Sequence, residues 1–125
     1  MGNYNQVVEA SSAKGTSAAG TTQINRDSSG VVLAIKTTAS SGTSPTVTVK
    51  VQGSTNGTDW YDITGATTAA ISTSTTTMLT VCRGSTAAAN SVIAQPLPRL
   101  WRVYWTIGGT DTPTVTFSVD AAMVQ

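Results

Sequence analysis

Histidine is missing from this chain altogether, and cysteine occurs once. Without an imidazole, neither a Ser-His-Asp nor a Cys-His nucleophile can be assembled. Zinc would lack its commonest nitrogen ligand and would find a single thiolate, which argues against a zinc site. The lone Cys82 permits no internal disulfide. Within Leu79-Thr80-Val81-Cys82 it reads as a small buried hydrophobe rather than a reactive thiol. Charge is scarce as well. Seven Lys and Arg stand against six Asp and Glu, so charged residues make up only 10% of the chain, against roughly 25% in ordinary domains. The net charge of +1 leaves no basic footprint for nucleic acid or an anionic membrane surface. No apolar run approaches the ~20 residues that a membrane-crossing helix needs. No charged-then-apolar leader opens the sequence, and Gln6 stands where myristoylation of Gly2 would want Ser or Thr. No glycine-rich run precedes a lysine in the phosphate-cradling pattern. The expectation is a chain that folds in the cytosol, with no cofactor, no nucleic acid and no membrane as partner.

What fills the space is hydroxyl. Ser and Thr supply roughly 30% of the residues, far above ordinary usage. Threonine suits strands, because its branched side chain fits a pleated surface. The length, 125 residues, suits one domain around one core. The expected division is an N-terminal arm or short strand over 1–20 and one domain over 21–125. In the arm, Gln6 to Ala10 is a candidate strand. Ser11 to Thr21 is small, polar and glycine-punctuated, which reads as a loop or a flexible arm that stays mobile or orders against a neighbouring subunit.

The chain is organised around Leu100-Trp101-Arg102-Val103-Tyr104-Trp105-Thr106-Ile107. Alternation puts Trp101, Val103, Trp105 and Ile107 on one face, apolar enough for a core. Leu100, Arg102, Tyr104 and Thr106 share the other. Pro96 and Pro98 precede this stretch, where a missing N–H does least harm. It is read as a central strand. Gly108-Gly109 is a turn signal, so a hairpin is expected with the alternating run Thr114 to Met123.

Other strands are expected over 31–37, 46–52, 59–63, 67–71 and 76–82, with a short one at 23–26, while 91–94 runs into the prolines and the tryptophan strand. Val31 to Ile35 is continuously apolar, which predicts burial on both faces or nearly so. Ser40 to Pro45 reads as a turn. Val47, Val49 and Val51 point to a core while Thr48, Lys50 and Gln52 point outward. Asn56-Gly57 predicts a hairpin into Asp59-Trp60-Tyr61-Asp62-Ile63. No helical period is sustained. About eight or nine short strands with regular turn signals predict an all-β protein, an antiparallel β-sandwich of jelly-roll-like kind. A closed barrel is the next choice.

Chemistry has few candidates. Asp59 and Asp62 flank Trp60, as a glycosidase pair flanks a sugar, but the plainer roles are a turn cap and a solvent-facing carboxylate. No dense acidic loop supports calcium at Asp59, Asp62 or Asp111. Asn56-Gly57-Thr58 matches the glycosylation sequon, which matters only in a secreted chain. Trp60, Tyr61 and Tyr104 could form a flat sugar-binding platform, or could pack in the core or under an interface.

Two segments, Val49 to Ile63 and Leu97 to Thr110, carry a resemblance. Strand, Gln52-Gly53-Ser54, Asn56-Gly57, Trp60 and then Pro98-Arg99-x-x-Arg102-Val103 resemble small β-sandwich structural proteins of tailed bacteriophages, including capsid decoration or cement proteins. The likeness covers roughly half the chain. It implies a non-enzymatic virion protein, made in the host cytoplasm and seated on the capsid surface. Its implied partners are the major capsid protein and copies of itself, as a homotrimer. A tail or head–tail connector component would share the fold. Arg99, Arg102 and Tyr104, on or beside the more polar face of the tryptophan strand, are the expected interface residues. Trp60 and Tyr61 are the glycan contacts in the alternative, a carbohydrate-binding module.

Overall fold

A computed structural model describes residues 4–124. It is all-β, and the described residues include no helix. The strands are β1 (Tyr4–Lys14), β2 (Ala18–Ala19), β3 (Gln23–Ile24), β4 (Gly30–Ser54), β5 (Trp60–Thr67), β6 (Thr76–Cys82), β7 (Val92–Ile93) and β8 (Leu100–Val124). They form one mixed sheet ordered β1-β8-β4-β6-β7, which is not closed; β2 and β3 also pair with β8, and β5 with β4. The expected purely antiparallel pattern is broken at one place, where β7 runs parallel to β6. The loop after β6 carries the chain back before it re-enters the sheet, and the Thr80 N–H donates to the Ser91 carbonyl at 2.7 Å. Val92 thereby lies beside Thr80 in parallel register.

The tryptophan strand is central, as its sequence predicts, with β4 on one side and β1, β2 and β3 on the other. The turns expected at 40–45 and 108–113 are corrected. Neither closes a hairpin, because β4 and β8 pair with each other and not with themselves. Both strands run through, and β4 and β8 pair from Gly30 against Val124 to Ser54 against Leu100. The two clusters instead face each other midway along this ribbon, where the register shifts repeatedly between Ser41 and Thr46. Five residues there take positive φ: Gly42, Ser44, Gly109, Asp111 and Thr112. Pro45 and Pro113 fall in the same bulged segment, where no ladder donor is lost. Bulges bend a strand and raise its twist. Here they fold the ribbon enough for Trp105 and Phe117, from opposite halves of β8, to meet edge to face at 5.6 Å. At Gly109 (φ +118) an added Cβ would stand 2.9 Å from the carbonyl oxygens of Thr43 and Ser44, so the bend needs glycine on two counts.

The N-terminal segment is the second correction. β1 extends to Lys14, well into the expected loop, and pairs with β8 from Tyr4 against Met123 to Lys14 against Val115. Beyond the bend the same segment returns to β8, with Ala18 against Trp105 and Gln23 against Trp101. Lys14 anchors the crossing. Its ammonium pairs with Glu9 at 3.2 Å, bonds to the Ser12 hydroxyl, and lies 5.5 and 5.0 Å from the rings of Trp105 and Phe117. The Trp105 indole N–H donates to the Thr16 carbonyl at 3.1 Å.

One apolar cluster joins both halves of the ribbon. Val31, Leu33, Ile35, Val47, Val49, Val51, Trp101, Val103, Phe117 and Val119 are all fully buried. Each such side chain contributes about 1.5–3 kcal/mol when withdrawn from water. Ile107 only packs against the margin of this cluster. Two buried threonines show one use of the hydroxyl content. Thr37 Oγ1 donates to the Thr73 carbonyl at 2.7 Å and accepts from the Thr75 N–H, and Thr68 Oγ1 accepts from the Val49 N–H at 3.1 Å. They tie the 68–75 segment, where only Ile71 bridges to Val47 in place of the expected 67–71 strand, onto β4. Val31 to Ile35 departs from expectation too: Val31, Leu33 and Ile35 are buried, but Val32 and Ala34 on the outward face are only half-buried.

Candidate functional site

The bend divides the ribbon into two halves. In the half built on Val49, residues 46–54 of β4 pair with 100–108 of β8, flanked by β5 on one side and β2 and β3 on the other. Inward residues are odd-numbered valines and tryptophans, so the even-numbered residues face out. Register decides which of them meet. Lys50 lies opposite Tyr104, Gln52 opposite both Arg102 and Asp62, and Ser54 opposite Trp60.

These side chains link into a row. The Lys50 ammonium sits 5.2 Å from the centre of the Tyr104 ring and 3.0 Å from the Asp62 carboxylate. Gln52 donates through Nε2 to the other Asp62 oxygen at 3.0 Å and accepts from Arg102 Nε at 2.8 Å. The Arg102 guanidinium lies 4.3 Å over the Trp60 ring. Each link is a recognised stabilising contact: cation over ring, ion pair, amide to carboxylate, and guanidinium stacked on indole. The Gln52 hydrogen bond, followed by that of Lys50, holds the Asp62 carboxyl below the usual carboxylate range against the opposing effect of burial.

The hairpin that presents Trp60 is built as the Asn-Gly signal predicts. Gly57 takes φ +79, while the Asn56 side-chain oxygen accepts from the N–H groups of Thr58 and Asp59, both at 2.8 Å. Ser54 Oγ accepts from the Gly57 N–H and donates to the Asp59 carbonyl, both at 2.8 Å. The Asp59 carboxylate accepts from Asn56 Nδ2 at 3.0 Å. Asp59 and Asp62, flanking Trp60 in the sequence, are thus each engaged by their own neighbours.

Of the residues singled out from sequence, Arg102 and Tyr104 share this face with Trp60. Arg99 stands apart: it is exposed, precedes β8, and uses its carbonyl to accept the Asn25 N–H at 2.6 Å. Tyr61 points to the opposite side of β5, where its hydroxyl would be 2.8 Å from a Cβ placed on the buried Gly53. Trp60 and Tyr61 therefore do not make one platform, and one face of the indole is covered by Arg102. Lys50, Gln52 and Asp62 had no part in the expected site beyond facing solvent. Their alternation with valines was visible, but the strand register that makes them neighbours was not.

The arrangement offers a weakly charged surface in which Lys50 and Asp62 form an ion pair and Arg102 is held by Gln52 and the Trp60 ring. It can be covered by another surface with little exposure of unpartnered charge. Compared with known protein families, curated proteins and solved structures, the chain matches none.

Proposed function

We propose that this chain is a non-enzymatic structural protein of a tailed-bacteriophage virion, a capsid decoration or cement protein that lies on the major capsid protein, and that its bent ribbon is a jelly-roll-like sandwich. The observation that supports this reading best is the row running from Tyr104 through Lys50, Asp62, Gln52 and Arg102 to Trp60. Docking onto a shell withdraws a broad face from water, and unpaired charges would oppose that strongly. Here Lys50 and Asp62 neutralise each other, and Arg102 keeps a hydrogen-bond acceptor in Gln52 and a ring in Trp60, which lowers that opposition. Arginine, tyrosine and tryptophan are also the residue types over-represented where contacts carry most energy. Carbohydrate binding is the weaker reading, because Arg102 occupies the Trp60 ring.

The test is co-sedimentation of the purified chain with shells stripped of their decoration proteins. Saturable binding is expected, weakened about tenfold or more by Arg102→Ala, equivalent to about 1.4 kcal/mol. Failure to bind any shell, together with a Trp60-dependent hit on a glycan array, would replace this reading with the sugar-binding one.

A further inference from the structure

The outward surface of the other half of the ribbon, built on Val31, has a different composition. Here residues 30–41 of β4 pair with 114–124 of β8, flanked by β1 and β6. Register places Val7, Asp120, Ala34 and Met78 in one row across four strands. Val32 and Ala122 lie opposite each other in the next row. Val7 is 67% exposed and Met78 51%, and the row borders an open concavity of about 450 Å³.

Two observations indicate what covers this face. First, the sequence is apolar on both faces of three adjacent strands at one level: Val7-Val8 in β1, Val31 to Ile35 in β4 and Ala121 to Val124 in β8. Such runs belong to strands buried on both sides, yet within one chain only the inner side is covered. Second, Asp120 lies among these apolar groups, and Lys36 occupies the next outward position of β4, diagonal to it. Both are exposed, and among the described residues neither has an ion pair or side-chain hydrogen bond. An unrelated partner would have to bring a cation and an anion separately. A second copy of the same face brings both, because a two-fold axis that sets Lys36 against Asp120 also sets Asp120 against Lys36.

We propose that this face is a self-complementary interface that joins two copies of the chain, with Met78 and Val7 in the contact and Lys36 paired reciprocally with Asp120. The proposal is independent of the virion reading. It specifies a two-fold contact, in place of the three-fold assembly that the resemblance to decoration proteins implies.

Light scattering coupled to gel filtration, on the full chain over a concentration series, tests it. The expected species has twice the chain mass. Met78→Glu, at a half-exposed position that the folded monomer tolerates, should raise the dissociation midpoint about tenfold or more with an unchanged β-type circular dichroism spectrum. Asp120→Lys should weaken the dimer similarly, and adding Lys36→Asp to it should restore the dimer. That rescue separates a direct pairing from a general loss of structure. A monomer at all concentrations would overturn the proposal. So would a trimer, or a dimer indifferent to both Met78→Glu and the charge swap. Shell binding by Arg102 and its neighbours is read in a separate assay, so either proposal can fail alone.

Discussion

The two halves of the bent ribbon share two strands and one core, yet their outer faces differ. On the Val49 half, Lys50, Asp62 and Arg102 each have a partner within the chain. On the Val31 half, aliphatic side chains lie open, and Lys36 and Asp120 stand without partners in the described residues. The difference shows that one polar-out, apolar-in rule is not applied uniformly along a strand. Where the outward residues are large and polar they engage each other; where they are mostly aliphatic they stay open to solvent within the chain.

Several substitutions would break or sharpen this comparison. The largest effect is expected from Phe117→Ala. This ring is fully buried and meets Trp105 across the bend, so its loss should cost about 3–5 kcal/mol. Urea denaturation should still show a single transition at a lower midpoint. Two separated transitions would mean that the halves are independent bodies, and the comparison would then be between two units. Gly109→Ala should come next, at about 1–3 kcal/mol, because it forces a side chain into positive φ against two carbonyls. An unchanged midpoint in the same assay would show that the bend is not held as described.

The smallest effect is the pH response of the polar row. The Asp62 carboxyl is held below its usual value when folded. Its hydrogen bond from Gln52 and its contact with Lys50 therefore add stability above the unfolded-state value, and that contribution is lost as pH falls through the folded one. The pair is exposed, with side-chain accessibilities of 30% for Lys50 and 59% for Asp62, so the loss should be at most about 1 kcal/mol. Comparing the denaturation midpoint of the native chain with that of Asp62→Asn from neutral to acid pH measures it. A gap between the two that does not narrow in acid would remove Asp62 from the row.

Much of the fold was legible in the residues. Strict alternation in Thr46 to Gln52 and in Leu100 to Ile107 identified strands and their inner faces, and Asn56-Gly57 identified the one hairpin that the chain forms there. The bend was not legible. Gly42, Pro45, Gly109 and Pro113 look the same whether a chain reverses or bulges, because both need positive φ and both tolerate a missing N–H. The strand at the N-terminus was hidden for a related reason. Ser11 to Lys14 has no apolar alternation, and what holds it is the β8 edge, with Trp105 and Phe117 under Lys14, all remote in sequence. The candidate site was half legible. Arg102, Tyr104 and Trp60 could be named as surface residues of interest, but Lys50, Gln52 and Asp62 join them only through a register that single-sequence patterns do not contain.

The pairing of β4 with β8 also has a consequence for how the molecule comes together. Even the ends nearest in the chain, Ser54 and Leu100, are separated by a long intervening stretch, and the far ends, Gly30 and Val124, by far more. Closing such loops delays the reward of the contacts they bring. During synthesis β4 can meet β5 and β6 first, but the edge that β8 covers stays unpaired until residues 100–124 emerge. Assembly of the ribbon is therefore a late step, set by contacts between segments far apart in the chain.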